Sequence, residues 1–380
     1  EILHQNPIVA TSSIVGYNYC ANVDGISAVN QTLYNGNGDF IYHFNNGVSL
    51  GLNADMNFYN RYADVTDGYF PTLPYLALKP EFFVMWQGNG FTVDLTCNYT
   101  FGADTSSEVF EDKIHRGDFR LGFEWQNDVV RLFADAGAVV GNGIYDNSVV
   151  VPFDVGVDAS IPVSFSNRHF TLTACGGIDS KLPQLYELEN KYKFTTSSFI
   201  AGEQSDWFGR FECVLPVQDA FTGSFMVEYR KSAFDTGVAN PVYSKVSRYG
   251  TYDYSFDNLQ QFNSSLMLSY QYKIMTISGG WKSYWLDVPA LECQNLVTVD
   301  LNLLGNESKW GADLNAAFGL GDESITPVIN MEAFAGITSA VRAVLSFNDV
   351  IQLFKAEPRV YAGQYIGRNG NVCLLLKFFF

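Results

Sequence analysis

The stretch Phe91-Thr92-Val93-Asp94-Leu95-Thr96-Cys97-Asn98-Tyr99-Thr100-Phe101 alternates between apolar and polar residues at every position. Because successive side chains of a β-strand point to opposite faces, this period of two predicts a strand with one apolar and one polar face. The polar face carries a carboxylate and an amide, and the apolar face carries aromatic rings at both ends. The stretch therefore predicts a strand that separates two different environments.

The same alternation recurs along the whole chain, whereas helical periodicity is nowhere sustained over three turns. The sequence contains no visible repeat of fixed period, so a propeller or solenoid fold is disfavoured. We expect one all-β unit, with residues 1–7 as an N-terminal periplasmic segment and residues 8–380 as a single barrel. Further stretches with this pattern are residues 48–58, 116–126, 221–230, 266–273, 296–303 and 310–318.

The composition limits the class of protein. Only 17% of residues are charged and 16% are aromatic, which argues against disorder. No run of 18 apolar residues is present, so a helical transmembrane segment is excluded. The formal net charge of −17 disfavours a nucleic-acid partner, since phosphate contacts require clustered lysine and arginine.

Short and long connections alternate along the chain, which is typical of outer-membrane barrels with short periplasmic turns and long outer loops. The pattern predicts a closed antiparallel transmembrane β-barrel of about 18 strands, with 16 as the alternative. The expected short turns include 45–47, 88–90, 126–128, 166–168, 218–220, the region at Lys273, 306–308 and 338–340. The expected long loops include 65–75, 105–115, 183–205, 233–252 and 355–368.

In such a barrel lipid contacts the apolar faces and an aqueous lumen contacts the polar faces. The aromatic residues near strand ends would form interfacial girdles; the alternative is that they are ordinary core aromatics of a soluble β-sandwich. The girdle candidates are Trp86, Tyr99, Trp125, Tyr229, Tyr272 and Trp310. The predicted pore-lining residues are Asp55, Asp94, Arg116, Asp118, Arg120, Glu124, Arg131, Asp135, Glu228, Arg230, Asp300 and Asp313.

The two signs of charge nearly cancel along this predicted shaft, so we expect weak charge selectivity there. The excess negative charge is expected in the loops, as an acidic outer mouth. The acidic loop residues are Asp104, Glu108, Glu111, Asp112, Glu187, Glu189, Glu203 and Asp206.

The C-terminal residues 372–380 alternate again and end on Phe378-Phe379-Phe380. This ending resembles the last strand of outer-membrane barrels as a class, in which the barrel-assembly machinery reads a terminal phenylalanine. The resemblance implies that Phe378 and Phe380 form the assembly signal. It also implies the assembly machinery, outer-membrane lipids and lipopolysaccharide as partners, with the bacterial outer membrane as the location of a chain whose signal peptide has been removed.

Two segments resemble the barrel of TonB-dependent outer-membrane receptors. The first is Phe170-Thr171-Leu172-Thr173-Ala174-Cys175-Gly176-Gly177, followed by Leu182-Pro183 and Leu185-Tyr186-Glu187-Leu188. The second combines Asn348, Leu353-Phe354, Tyr361 and Gly367-Arg368, with Ile366 where the family usually has proline. The resemblance covers residues 170–380 and implies a related barrel in a transport setting. Because strands begin near Ile8, we expect no plug domain ahead of them.

Enzyme chemistry has little support in the sequence. The four histidines are dispersed, and neither zinc-ligand spacing, nor a nucleophile elbow, nor a phosphate-binding loop is present. We therefore expect no enzyme and no cofactor; the one alternative is a rim hydrolase that uses His115, which is otherwise a solvated loop histidine. The six cysteines lack close pairs, so they are interpreted as apolar fillers, with a Cys20–Cys373 disulfide as the alternative.

Two functions are expected from these patterns. The first is an outer-membrane channel or receptor-type transporter that passes small hydrophilic solutes through a polar lumen. The second is a structural or interaction barrel whose lumen is occluded by its loops or by a lipoprotein or plug partner.

Overall fold

β-Strands make up most of the chain that the computed structural model describes. The described residues are 9–19, 26–65, 73–104, 113–142, 149–162, 169–182, 203–218, 220–233, 238–246, 252–288, 293–305, 309–320, 327–338, 341–355, 360–361, 365–366 and 370–378. The predicted periplasmic segment, residues 1–7, lies outside them.

The strands of the first half are long. They are β1 (Val9–Tyr19), β2 (Ile26–His43), β3 (Val48–Val65), β4 (Leu73–Gly88), β5 (Phe91–Asp104), β6 (Ile114–Gln126), β7 (Val130–Gly141), β8 (Phe153–Pro162), β9 (His169–Lys181), β10 (Gln204–Gln218) and β11 (Phe221–Ser232). The second half contains β12 (Val238–Val246), β13 (Tyr252–Asp257), β14 (Gln260–Tyr272), β15 (Met275–Tyr284), β16 (Asn295–Leu304), β17 (Trp310–Leu320), β18 (Val328–Thr338), β19 (Val341–Asn348), the short helix α1 (Val350–Leu353), β20 (Val360–Tyr361), β21 (Tyr365–Ile366) and β22 (Asn371–Phe378).

One sheet contains 18 of these strands, namely β1–β11, β14–β19 and β22. Strands that follow one another in the chain pair antiparallel from β1 to β7 and from β14 to β19, and β19 then pairs with β22. The predicted all-β antiparallel architecture is thus confirmed, with a strand number close to the predicted one. A pairing of β1 with β22 is not among those of the described residues, so closure stays a prediction.

Tight turns connect several of these strands, as predicted. Asn89 and Gly90 form a two-residue loop between β4 and β5, with φ angles of 53° and 79°. Positive φ at both positions is the requirement of a type I′ turn, whose twist matches that of the flanking strands. Lys273, with φ of 52°, occupies the equivalent loop between β14 and β15.

Two predicted long loops contain regular structure. Strands β12 and β13 lie in and after the predicted loop 233–252 and pair with each other in a separate two-stranded sheet. Strands β20 and β21 form a small hairpin inside the predicted loop 355–368. The sequence did not predict these hairpins, because short local strand pairs need no long alternating pattern. Both hairpins lie between successive strands of the 18-stranded sheet.

The chain divides into two compact units. The first comprises Glu1–Val157, Cys175–Gly209 and Arg230–Leu259, and the second comprises Asp158–Ala174, Arg210–Tyr229 and Gln260–Phe380. The charged groups that form the candidate site all belong to the first unit. Within the described residues, no helix is long and apolar enough to cross a membrane.

Many of the large apolar side chains lie on the surface of the sheet. Leu121 is 58% exposed and Leu52 is 53% exposed, whereas the buried apolar cluster of the described residues consists of Val139 and Val150. A soluble β-sandwich would bury its apolar faces against each other. The described sheet instead exposes many of them.

Candidate functional site

The strand register places apolar residues opposite apolar residues, and polar residues opposite polar residues, on neighbouring strands. Leu95 of β5 lies opposite Leu121 of β6 on the apolar face. On the other face Asn98 of β5 lies opposite Asp118 of β6 and Glu81 of β4. Directly paired residues share a face, so the polar side chains of β3 to β7 form one continuous polar surface.

The centre of this polar surface is a group of five side chains, which we call the Arg116 cluster. It comprises Arg116, Asp118 and Arg120 of β6, Ser180 of β9, and Glu203 immediately before β10. The start of β6 adjoins the predicted long loop 105–115, and the end of β9 and the start of β10 adjoin the predicted long loop 183–205. The cluster therefore lies at the long-loop end of the first unit.

Charge-assisted hydrogen bonds connect the cluster. The Arg116 guanidinium donates from Nε to Glu203 Oε2 at 2.8 Å and from Nη2 to Glu203 Oε1 at 2.9 Å, a bidentate arrangement. Its Nη1 donates to Asp118 Oδ2 at 3.2 Å, and Arg120 Nε donates to Asp118 Oδ1 at 3.1 Å. The Ser180 hydroxyl donates to Glu203 Oε1 at 2.6 Å. Bidentate charged pairs of this kind are among the strongest polar contacts in proteins.

The cluster is shielded from water. The side chains of Glu203, Asp118 and Arg116 are 1%, 7% and 11% exposed. Ser205, whose hydroxyl lies 3.3 Å from that of Ser180, is fully buried. Because buried charges are stable only when paired and hydrogen-bonded, the bonds of this cluster fix β6 against the adjoining ends of β9 and β10.

Other predicted pore-lining charges form weaker contacts. Arg131 binds Glu124 at 2.7 Å, but 42% of the arginine side chain is exposed. Arg120 reaches Asp135 at 3.7 Å. These pairs line the same polar face without being removed from solvent.

Arg230 of β11 lies 3.5 Å from Asp179 and 3.8 Å from Asp206. Asp206 is itself buried, so the sequence interpretation of Glu203 and Asp206 as acids of a solvated outer loop was wrong. Asp206 belongs to β10, and Glu203 pairs with Arg116. Asp104, also assigned to a loop, is the last residue of β5, and the remaining predicted loop acids lie outside the described residues.

Carboxylate–amide pairs join β16 and β17 in the second unit. Asn315 donates to Asp300 at 2.5 Å across β16 and β17, and Asn302 donates to Asp313 across the same two strands. Asp94, Asp55 and Glu228 complete the predicted pore-lining set. The carboxylate of Asp94 lies against Gly122, and Asp55 lines a cavity beside the Arg116 cluster. That these twelve residues line a pore stays a prediction.

A cavity of about 280 Å³ adjoins the Arg116 cluster on the polar face of the first unit. We call it the mixed-charge cavity. Its walls come from β3, β4, β5, β6 and the end of β9, and Leu182 is its one apolar lining residue among those described. The lining consists of Asn53, Asp55, Lys79, Glu81, Asn98, Thr100, Arg116, Asp118, Ser180, Lys181 and Leu182.

Sequence reasoning found Asp55, Arg116 and Asp118 but missed Lys79 and Glu81. Their signal was present, since both occupy alternate positions of β4 and face Asp55 and Asn53 in the register. Pro80 between them obscured the strand. No group of three or more histidine, cysteine, aspartate or glutamate residues within the described part of the chain could hold a metal ion.

His115 is a strand residue, so its interpretation as a loop histidine was wrong. It belongs to β6, its Nδ1 lies 2.5 Å from the Tyr99 hydroxyl, and its ring packs near Phe101. The register places it on the apolar face with these aromatic residues. A role as a rim hydrolase has no support in this position.

The C-terminal predictions are tested in part. Phe378 is the last residue of β22 and pairs with Val341, while Phe380 lies outside the described residues.

Among the cysteines, Cys97 and Cys213 are free thiols. Cys20 lies outside the described residues, so a Cys20–Cys373 disulfide stays a prediction.

Comparison with known proteins finds similarity of structure alone. No family model and no curated protein sequence matches the chain. The copper transporter OprC superposes with a TM-score of 0.56 at 10% identity, over 97% of this chain and 75% of that protein. A mutant of the ferric enterobactin receptor PfeA of Pseudomonas aeruginosa gives 0.57 at 9% identity over 92% and 62%. The apoprotein form of the FrpB iron transporter of Neisseria meningitidis gives 0.58 at 11% identity over 98% and 68%.

This chain thus spans between about three fifths and three quarters of the length of these structures. At such low identity the similarity concerns the fold, and it agrees with the resemblance to TonB-dependent receptors seen in the sequence. The chain has the barrel-type all-β fold of these outer-membrane transport proteins.

Proposed function

We propose that the chain forms a closed barrel in the bacterial outer membrane and acts as a receptor-type transporter or channel for small hydrophilic solutes. The observation that carries the proposal is the separation of the two sheet faces. Large apolar side chains are exposed on one face, and the polar residues of β3 to β7, with the ion pairs of β6 and β7, occupy the other. Lipid would solvate the first face and water the second.

The dimensions of the apolar face support this proposal. Phe91 and Phe101 lie at the two ends of the apolar row on β5, ten residues apart, which corresponds to about 33 Å along a strand. A strand tilt of about 40° projects this length to about 25 Å, the height of the apolar band of outer-membrane barrels. Of the predicted girdle residues, Trp86, Tyr99, Tyr229, Tyr272 and Trp310 are all exposed.

The solved structures with a similar fold add support for transport. They are described as a copper transporter, an iron transporter and a receptor for ferric enterobactin. Those substrates belong to those proteins. For this chain the proposal specifies a polar solute, because charged, amide and hydroxyl side chains form all of the cavity lining except Leu182.

A detergent gel and a flux assay test the proposal together. The protein refolded in detergent should migrate faster unboiled than boiled, as a closed barrel does. Liposomes that contain it should take up a small polar solute, and protein-free liposomes should not. A protein that is folded and water-soluble without detergent would overturn the membrane assignment, and a folded, inserted protein that passes no solute would overturn the transport assignment.

A second candidate function is an interaction barrel whose interior is filled. The burial of Glu203, Ser205 and Asp206 at the long-loop end favours it, because wall charges of a wide open pore would be hydrated. The partners in this case would be a lipoprotein or plug protein, besides the assembly machinery and lipopolysaccharide. Inserted protein that is tight to solutes and co-purifies with a stoichiometric subunit would support this alternative.

A further inference from the structure

Three charged side chains that β3 and β4 contribute to the mixed-charge cavity have no hydrogen-bond or ion-pair partner within the described part of the chain. Asp55, Lys79 and Glu81 make neither a hydrogen bond nor an ion pair with any described side chain, although each lines the cavity. This contrasts with Arg116 and Asp118 of β6, which line the same cavity and are paired within the Arg116 cluster. Both signs of charge are therefore available to a ligand in the same solvent-accessible cavity.

The register orders these charges. Asp55 of β3 lies directly opposite Lys79 of β4, and Glu81 follows Lys79 by two residues on the same face. Glu81 in turn lies opposite Asn53 on one side and Asn98 on the other. The result is a cation and an anion on one strand, neither paired with a described residue, and an amide on each side of the anion.

The spacing selects the size of a ligand. The Cα atoms of residues two apart on a strand lie about 7 Å apart, and their side chains leave the same face of the sheet side by side. Two fully extended residues of a peptide also span about 7 Å, from the terminal ammonium to the terminal carboxylate. A cavity of about 280 Å³ lies just below the usual range for drug-sized ligands, so it suits a smaller molecule.

We propose that the mixed-charge cavity binds a short zwitterion of dipeptide size, with Lys79 holding its carboxylate and Glu81 its ammonium group. Asn53 and Asn98 are placed beside Glu81 to hydrogen-bond the peptide group between the two charges. Asp55 balances the charge of Lys79 when the cavity is empty. This inference rests on the proposed transport function and names the class of solute that the lumen recognises.

Equilibrium dialysis of the refolded protein in detergent with radiolabelled glycylglycine tests the proposal. We expect saturable binding, and we expect N-acetylglycylglycinamide, which has the same backbone without either charge, to compete at least tenfold more weakly. Glycine, whose charges are closer together, should also compete weakly. Absence of saturable binding, or equal competition by the uncharged analogue, would overturn the proposal.

Variants assign the binding to the cavity. Lys79→Gln and Glu81→Gln should each weaken glycylglycine binding at least tenfold, because each removes one charge-assisted contact. Glu332→Gln is the matched control: it makes the same change on the polar face of the second unit, where Glu332 bonds to Ser346, and should leave binding unchanged. Unchanged binding in Lys79→Gln and Glu81→Gln would refute the assignment.

The outcome is separable from that of the proposed function. Each variant is first checked for the shift between unboiled and boiled protein, so that loss of folding is recognised. A protein that folds as a barrel and passes solutes, but shows no preference for glycylglycine over its uncharged analogue, refutes the zwitterion site and leaves the transport proposal intact. A protein that binds glycylglycine but is water-soluble refutes the membrane transport proposal and leaves the zwitterion site intact.

Discussion

Replacing Glu203 with alanine would leave the Arg116 guanidinium buried beside a single carboxylate. Glu203 accepts two hydrogen bonds from Arg116, at 2.8 and 2.9 Å, and one from Ser180 at 2.6 Å. All three are lost in the variant. Asp118 remains as a partner of the arginine, at 3.2 Å.

The size of the expected stability loss follows from the burial of Glu203 and Arg116. With the two side chains 1% and 11% exposed, water cannot replace the lost carboxylate of Glu203. Removing one partner of a buried ion pair costs about 3–5 kcal/mol of unfolding free energy. We expect a value near the lower end, about 3 kcal/mol, because Asp118 continues to neutralise Arg116. The exposed pair of Arg131 and Glu124, in contrast, should contribute less than about 1 kcal/mol.

Guanidinium unfolding in detergent micelles, followed by tryptophan fluorescence, measures both values. Glu124→Ala is the control, since it also breaks a glutamate–arginine pair on the same polar face but at an exposed position. The double variant Arg116→Leu with Glu203→Leu should be more stable than Glu203→Ala, because it removes the buried guanidinium together with its lost partner, while Asp118 keeps its ion pair with Arg120.

Equal losses of stability in Glu203→Ala and Glu124→Ala would refute this reasoning. That result would mean that water reaches Glu203, and that the long-loop end of the first unit is open. It would then remove the structural support for the filled-interior alternative.

Two further predictions concern the faces of the sheet and its close packing. Leu121→Arg should cost about 2–4 kcal/mol and reduce the unboiled barrel band on a gel, whereas Asn53→Arg, on the polar face, should cost much less; equal costs would contradict the lipid-facing assignment. Gly177→Ala should cost about 1–3 kcal/mol in the same unfolding assay, because a Cβ at Gly177 would collide with the carbonyl oxygen of Phe153. Gly209→Ala, with open space around the position, is its neutral control, and similar stability of the two variants would disprove the collision.

The strands and their faces were predictable because alternation is a local property of the chain. Residues 91–101 indicate β5 without reference to any other part of the sequence. The Asn89-Gly90 turn is equally local, because asparagine and glycine tolerate the positive φ angles that the turn requires. The same local reasoning failed for β12 and β13. There the strands are short and the alternating pattern is weak.

The candidate site was only partly predictable. Arg116, Asp118 and Arg120 were identified as residues of one polar strand face, and the structure brings them into one network. Glu203 was assigned to a solvated loop because it precedes the strand and carries a charge. Nothing local to it indicates a partner 87 positions earlier in the chain.

The sequence by itself determined which side of each strand is apolar, because side chains alternate along any extended backbone whatever the strand later pairs with. Only the tertiary structure decided which charges neutralise one another and which are left without a described counter-charge. Arg116 meets Glu203 because β6 and the start of β10 converge, whereas Lys79 and Glu81 form no ion pair with a described residue. Electrostatic pairing acts over a few ångströms in space, and distances along the sequence do not report it.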